Sequence, residues 1–209
     1  MAKIMVRSLV LGMVATNCYF VMNQETEEML LIDPADDLEA IDQQVLKMGG
    51  KPVAILLTHG HFDHIMAAAD CREKYQIPVF AHQLEQEVLE QSEYNLSSRW
   101  SKAYSMKADH LAADKEELEL GGFQIQVLHT PGHTQGSVCY YFPVEGMLFS
   151  GDTLFAQSYG RTDFPTSSMS DMQSSITRLL STLPEATEVY PGHNESTSIS
   201  IEKRYNPLA

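Results

Sequence analysis

The six residues His59-Gly60-His61-Phe62-Asp63-His64 restrict this chain more than any other segment. At its histidine and aspartate content, a shuffled chain would show H-x-H-x-D-H on the order of once in a thousand. The segment follows Val53-Ala54-Ile55-Leu56-Leu57, a continuous apolar run of the kind expected for a strand covered on both faces. His59 and His61 are two apart in extended chain, so their side chains point the same way. Asp63 and His64 open a helix expected to run to Tyr75, where a carboxylate is favoured by the helix dipole. One short loop thus presents three imidazoles and a carboxylate, the ligands of zinc, iron and manganese sites. An ion takes about four to six ligands, so the cluster is rich enough to begin two sites.

The same placement recurs along the chain. Thr130-Pro131-Gly132-His133 follows the apolar run Phe123–Leu128, Gly151-Asp152 follows Met147-Leu148-Phe149, and Pro191-Gly192-His193 follows Val189-Tyr190. A lone histidine after a Pro-Gly turn is ordinarily a surface residue, and a lone aspartate after a strand an ordinary turn residue. A repeated strand-then-ligand pattern makes His133, Asp152 and His193 ligand candidates, because loops at the carboxyl ends of strands are where rigid sheets carry chemistry. Glycine beside each candidate allows close backbone approach. His82, His110 and His129 lack this context, although His129 is near enough in sequence to support a ligand from behind.

The rest of the pattern is mixed. Short β-prone runs at 4–10 and 18–22 join near Gly12, and Met29–Ile32 ends at Asp33-Pro34. Leu38, Ile41, Val45 and Met48 share one face of a helix over 37–48 that Gly49-Gly50 stops. A strand at Val79-Phe80 and a helix over 83–91 follow, then a polar stretch, 92–116, of loop and short helix. Leu118–Leu120 and Phe123–Leu128 flank Gly121-Gly122 as a hairpin, strands fit 137–142, 147–150 and 187–190, and helices fit 170–183, capped by Ser170, and 198–206. No linker divides the chain, so residues 1–209 read as one α/β domain of stacked sheets with helices outside.

Composition closes off other classes. With 44% hydrophobic and 20% charged residues, disorder is excluded, and a net charge of −14 repels phosphate backbones. Lys3 and Arg7 precede a short apolar stretch, but no run is long enough to span a membrane. Cys18, Cys71 and Cys139 are odd in number and far apart, as buried free thiols in a reducing compartment would be, so the expected location is cytoplasmic.

The sequence resembles the metallo-β-lactamase superfamily, and within it the glyoxalase II-like hydrolases. The residues that carry the likeness are Asn17-Cys18-Tyr19, Leu31-Ile32-Asp33-Pro34, Thr58 through His64, His129 through Thr134, Gly151 through Phe155, Gly160 through Pro165 and Pro191-Gly192-His193, which span nearly the whole chain in order. The resemblance implies a four-layer αβ/βα sandwich of two mixed sheets with outer helices, the site lying at one edge between the sheets. It implies that His59, His61 and His133 hold a first metal, that Asp63, His64 and His193 hold a second, that Asp152 bridges both, and that Asp33 lies beneath as support. Asp33 before Pro34 also reads as a plain strand-end turn. The C-terminal helical domain of full-length glyoxalase II is not expected here.

Ligand identity separates relatives. By resemblance, the zinc β-lactamases lack an aspartate at the place of Asp152, and the flavodiiron proteins carry Glu where His61 stands. What remains is thioester hydrolysis such as that of S-lactoylglutathione, lactone hydrolysis on the same centre, or iron-dependent persulfide oxidation, with a non-catalytic metal-binding protein as the remaining class. In the thioesterase reading a hydroxide held between two divalent ions attacks the acyl carbon, and Asp63 and Asp152 are the catalytic carboxylates. Zinc is the first choice of ion, with iron and manganese open to the same N/O ligands. Arg161 stands where glyoxalase II places a cation against the glutathione carboxylate; its other reading is an ion pair with Asp163. The expected partner is a small thioester or ester, with no nucleic acid and no membrane; the pattern carries no signal for an oligomeric state.

Overall fold

The structure, a computed structural model, describes residues 3–209. Its first half builds a six-stranded sheet, ordered β1 (Ile4–Leu11), β2 (Thr16–Asn23), β3 (Glu28–Ile32), β4 (Lys51–Leu56), β5 (Val79–His82) and β6 (His110–Ala112). β1 to β3 are antiparallel, and β3 to β6 run parallel. The parallel connections carry helices: α1 (Leu38–Met48), α2 (Phe62–Ile65), α3 (Ala68–Tyr75), α4 (Gln86–Glu90) and α5 (Ser97–Trp100). The second half begins with β7 (Glu117–Leu120), β8 (Phe123–His129), β9 (Val138–Phe142) and β10 (Met147–Gly151). A small hairpin, β11 (Leu154–Phe155) with β12 (Ser158–Tyr159), precedes α6 (Met169–Thr182), β13 (Glu188–Pro191), β14 (Thr197–Ser198) and α7 (Ile199–Tyr205). The second sheet is ordered β14-β13-β10-β9-β8-β7, with β10 and β13 parallel.

Alternation along the strands sorts residues into layers. In β2, β3 and β4, Tyr19, Val21, Leu30, Ile32, Ala54 and Leu56 face Phe123, Ile125, Val127, Tyr140, Phe142 and Phe149 of the other sheet. Their neighbours Phe20, Leu31 and Ile55 turn the other way, onto Ile41 and Val45 of α1 and Ala68 and Cys71 of α3. In the second sheet Cys139, Tyr141, Leu148 and Val189 pack under Met172, Ile176, Leu179 and Leu180 of α6 and Ile199 of α7. The result is the expected α/β fold, two mixed sheets between outer helices. All three cysteines are buried and free.

Local departures have local causes. The helix expected over 63–75 is two helices, because the Ala67 N–H bonds to the Pro34 carbonyl at 3.1 Å instead of continuing the helical ladder. At four residues α2 has little dipole, so the placement of Asp63 rests on its hydrogen bonds rather than on the helix end. The cap of α6 is Ser168, whose hydroxyl accepts from the Asp171 N–H, and not Ser170. β6, β11, β12 and β14 are two or three residues long and leave no periodic pattern to read. Among the described residues, no helix is long and apolar enough to cross a membrane.

Candidate metal centre

The loop after β4 carries His59 and His61, and α2 carries Asp63 and His64; the loop after β8 carries His133; β10 ends on Gly151 ahead of Asp152; β13 leads to His193. Both sheets therefore contribute, and the side chains converge. Nitrogen atoms of His59, His61 and His133 lie within 4.8 Å of one another, as do ligand atoms of Asp63, His64 and His193. Asp152 stands between the groups: its carboxylate is 3.4 Å from His133 Nε2, 3.4 Å from His64 Nε2 and 3.5 Å from His193 Nε2. Asp63 lies 3.5 Å from His64 Nε2 and 3.3 Å from His193 Nε2.

Fit to a cation is read from what these atoms lack. His59 Nε2, His61 Nε2, His64 Nε2 and Asp152 Oδ1 are buried with no hydrogen-bond partner. Each such buried polar atom costs about 1–3 kcal/mol, so four in one pocket are a poor arrangement for protein alone. Divalent ions held by the two ligand groups would satisfy these atoms, and imidazole with carboxylate is their ordinary donor set.

Protonation divides the cluster. Burial, reinforced by neighbouring imidazoles, holds His59 and His61 well below the usual histidine range, and burial also lowers His133. Burial opposes a charge on His64 as well, yet Asp63, Asp152 and Asp33 together hold it well above that range. His193 is raised to about 9 by its bonds to Asp152 and Asp63, against the effect of burial. Burial likewise works against ionised Asp63, but His64 and His193 bring it to about 2. A cation in this half takes the place of protons.

The supports behind the cluster are specific. Asp33, at φ +50° past the end of β3, accepts from the Thr58 N–H at 2.7 Å through Oδ1, and its Oδ2 meets both the Thr58 hydroxyl at 2.6 Å and His64 Nδ1 at 2.8 Å. It is thus both the strand-end turn and a brace for His64. His129 goes elsewhere: it stacks on His82 at 4.0 Å, and its Nε2–H reaches the Gln135 carbonyl at 2.9 Å. Arg161 takes up its ion pair with Asp163, 2.9 and 2.7 Å, and lies 4.4 Å over the Phe164 ring. Gly192 is tight for a reason the site supplies, since a Cβ there would collide with Asp152 Oδ1 and crowd His64 Cε1.

Two supports have roles that the sequence does not show. The Asn17 amide donates to the Pro191 and Asn194 carbonyls at 3.0 Å, and the Tyr19 hydroxyl donates to Pro191 at 2.7 Å, so β2 grips the loop that carries His193. Glu85, fully buried, accepts from the Gly60 N–H at 2.6 Å, the Thr134 hydroxyl at 2.9 Å and the Gly136 N–H at 3.0 Å. It ties the His59–His61 loop to the His133 loop. Burial pushes its carboxyl up to about 7 against those hydrogen bonds. A signal existed: Glu85 shares helical spacing with buried Val88 and Leu89, an acid on an apolar stripe.

Over the cluster lies a cleft of about 620 Å³, lined by apolar side chains beside His61, Asp63, His133, Asp152 and His193. Residues 11–193 match the family profile described as the Metallo-beta-lactamase superfamily. The chain is 39% identical over 204 residues to the probable metallo-hydrolase YqgX of Bacillus subtilis (strain 168), covering 97% of this chain and 96% of that one. It is 30% identical to the hydroxyacylglutathione hydrolase GloC of Haemophilus influenzae, covering 92% of each chain. Among solved structures it is similar to the BLEG-1 B3 metallo-beta-lactamase, at 41% identity and TM-score 0.92 over 98% of this chain and 99% of that one. It is similar too to TTHA1623 in a di-iron-bound form, at 36% identity and TM-score 0.86 over 97% of this chain and all of that one.

Proposed function

This chain belongs to the metallo-beta-lactamase superfamily, a metal-dependent hydrolase family, and from that premise we propose that it hydrolyses a thioester at a two-metal centre. The observation that carries the reading is the position of Asp152, within 3.5 Å of imidazoles from both ligand groups, together with the buried unpaired nitrogens around it. His59, His61 and His133 would hold one ion and Asp63, His64 and His193 the other, with Asp152 placed to serve both. When bound, such a pair supplies Lewis acidity and a water acidic enough to attack near neutral pH.

The protein's own groups do the rest. His59, His61 and His133 are neutral donors whose lone pairs need no deprotonation. Asp63, ionised and held by the Thr16 hydroxyl at 2.9 Å, orients the attacking water toward the acyl carbon. A thiolate leaves without a strong general acid, so the cluster needs no residue poised to protonate it. Likeness to a hydroxyacylglutathione hydrolase supports the thioester over other acyl bonds. The structure named as a B3 metallo-beta-lactamase favours a second reading, lactam hydrolysis, and weakens the case that Asp152 makes against it.

The deciding experiment is metal analysis and turnover on one sample purified without added metal. Two ions per chain with hydrolysis of S-D-lactoylglutathione or another thioester support the proposal. Two ions with turnover only of a lactone or a lactam move the substrate. A single iron with oxygen consumption on a persulfide overturns hydrolysis, and full thioesterase activity in a metal-free sample overturns the centre.

A further inference from the structure

The walls of the cleft describe the molecule that enters it. Met13 and Val14, in the turn between β1 and β2, are 74% and 45% exposed, and Trp100, at the end of α5, is 52% exposed. With Leu96, Phe155 and Phe164 they form an apolar lining that runs inward to the ligands: the Phe164 ring is 5.4 Å from that of His61, and the Phe155 ring 6.1 Å from that of His193. Side chains of this kind left open to water beside a reactive centre mark a binding surface.

Charge points the same way. Glutathione presents two carboxylates, and a site that holds it requires cations. Among the described residues lining the cleft, Arg161 is the one Lys or Arg side chain, and its fork is taken by Asp163 while its flat face covers Phe164. Arg99 lies 5.2 Å from the Trp100 ring but outside the lining. The chain as a whole carries −14.

We propose that this cleft selects a thioester bearing an uncharged apolar chain beside the scissile bond, in preference to a hydrophilic acyl group on an anionic thiol. The chain seats against Met13, Val14 and Trp100 at the mouth, and the carbonyl reaches the centre past Phe155 and Phe164. The inference rests on the thioesterase reading for the bond that is cut, but not for the surface that binds.

Trp100, the single tryptophan of the protein, reports occupancy without turnover. Metal-loaded protein is titrated with thioethers, which cannot be hydrolysed: N-acetylcysteamine and glutathione, each carrying a methyl or an octyl group. Octyl ligands on either thiol shift Trp100 emission to the blue and bind; methyl ligands do neither. Matched thioesters then extend the series on the acyl side and the thiol side in turn, which locates the chain. On the preferred side kcat/KM rises about fourfold per methylene. Met13→Asp, at an exposed turn that tolerates a charge, weakens octyl binding about tenfold. Asp163→Ala frees Arg161 and shifts preference toward the glutathione compounds. A flat chain-length series, or tighter binding of S-methylglutathione than of octyl-N-acetylcysteamine, overturns the proposal even if thioesters are cut. An octyl response without any thioester turnover supports this surface and overturns the thioesterase reading alone.

Discussion

His59, His61 and His133 are kept neutral by burial, reinforced by neighbouring imidazoles that include His64, whereas His64 and His193 are held charged by Asp63 and Asp152, with Asp33 adding to the effect on His64. The two halves use the same side-chain types a few ångströms apart. The acidic half closes on itself in part, as in the 3.3 Å pair of His193 with Asp63, and leaves His64 Nε2 and Asp152 Oδ1 unpaired. The neutral half closes at one point only, where His61 Nδ1 and His133 Nε2 lie 2.8 Å apart, and His59 Nε2 and His61 Nε2 stay unpaired. Cation binding therefore relieves the neutral half and competes with protons in the acidic half. The lesson is that the identity of a ligand matters less than whether its environment already satisfies it.

Four substitutions break or sharpen that contrast. Asp152→Asn removes the one side chain shared by both halves, and hydrolysis should fall by more than about 100-fold, beyond what outer-shell changes cause. Turnover and metal content per chain measure it; unchanged values would break the bridging assignment. His59→Ala and His193→Ala should each cost one ion. The first should also destabilise the fold more, because His59 is 1% exposed and leaves a cavity, while the His193 side chain is 16% exposed. Paired metal analysis and urea unfolding test the difference. Asp33→Asn loosens His64 directly and His59 only through Thr58, and should weaken metal affinity about 10- to 100-fold, seen as easier loss of one ion to a chelator.

Glu85→Gln tests the support behind the neutral half and should cost about 1–3 kcal/mol, since an amide cannot accept at both ends from Gly60, Thr134 and Gly136. It also changes the pH profile. Unfolded, this carboxyl titrates near about 4.3, and folded at about 7. Within that window the folded state keeps a proton that the unfolded state has lost. The stabilisation tied to that proton is complete below about pH 4.3 and is lost as pH rises through about 7. The unfolding free energies of the native protein and of the E85Q variant, measured across the window, should diverge by this slope; parallel profiles would contradict it.

Much of this is legible in the amino-acid sequence. The ligand candidates all stand just after strands, and period-2 alternation in Leu30-Leu31-Ile32 and Ala54-Ile55-Leu56 is what splits these residues between two cores. What could not be read was set by distant partners. Pro34 breaks the helix at Ala67 by taking its N–H, and nothing local to 63–75 signals that. The two readings of Asp33 turned out to be one, because a positive-φ turn is what aims the carboxylate at His64. For Arg161 the neighbour two residues on decided the outcome. The grip of Asn17 and Tyr19 on Pro191 spans more than 170 positions, beyond any local pattern.

The order of the ligands along the chain has a temporal meaning. His59 to His64 are made with the first sheet, but His133, Asp152 and His193 follow β8, β10 and β13 of the second. Synthesis proceeds at about 5–20 residues per second, and the amino-terminal part orders first. For several seconds a nascent chain thus offers three clustered imidazoles with no partners to complete either coordination sphere. Any ion captured then is weakly held and exchangeable. Neither ligand group is complete until the second sheet has formed, because the first needs His133 after β8 and the second needs His193 after β13.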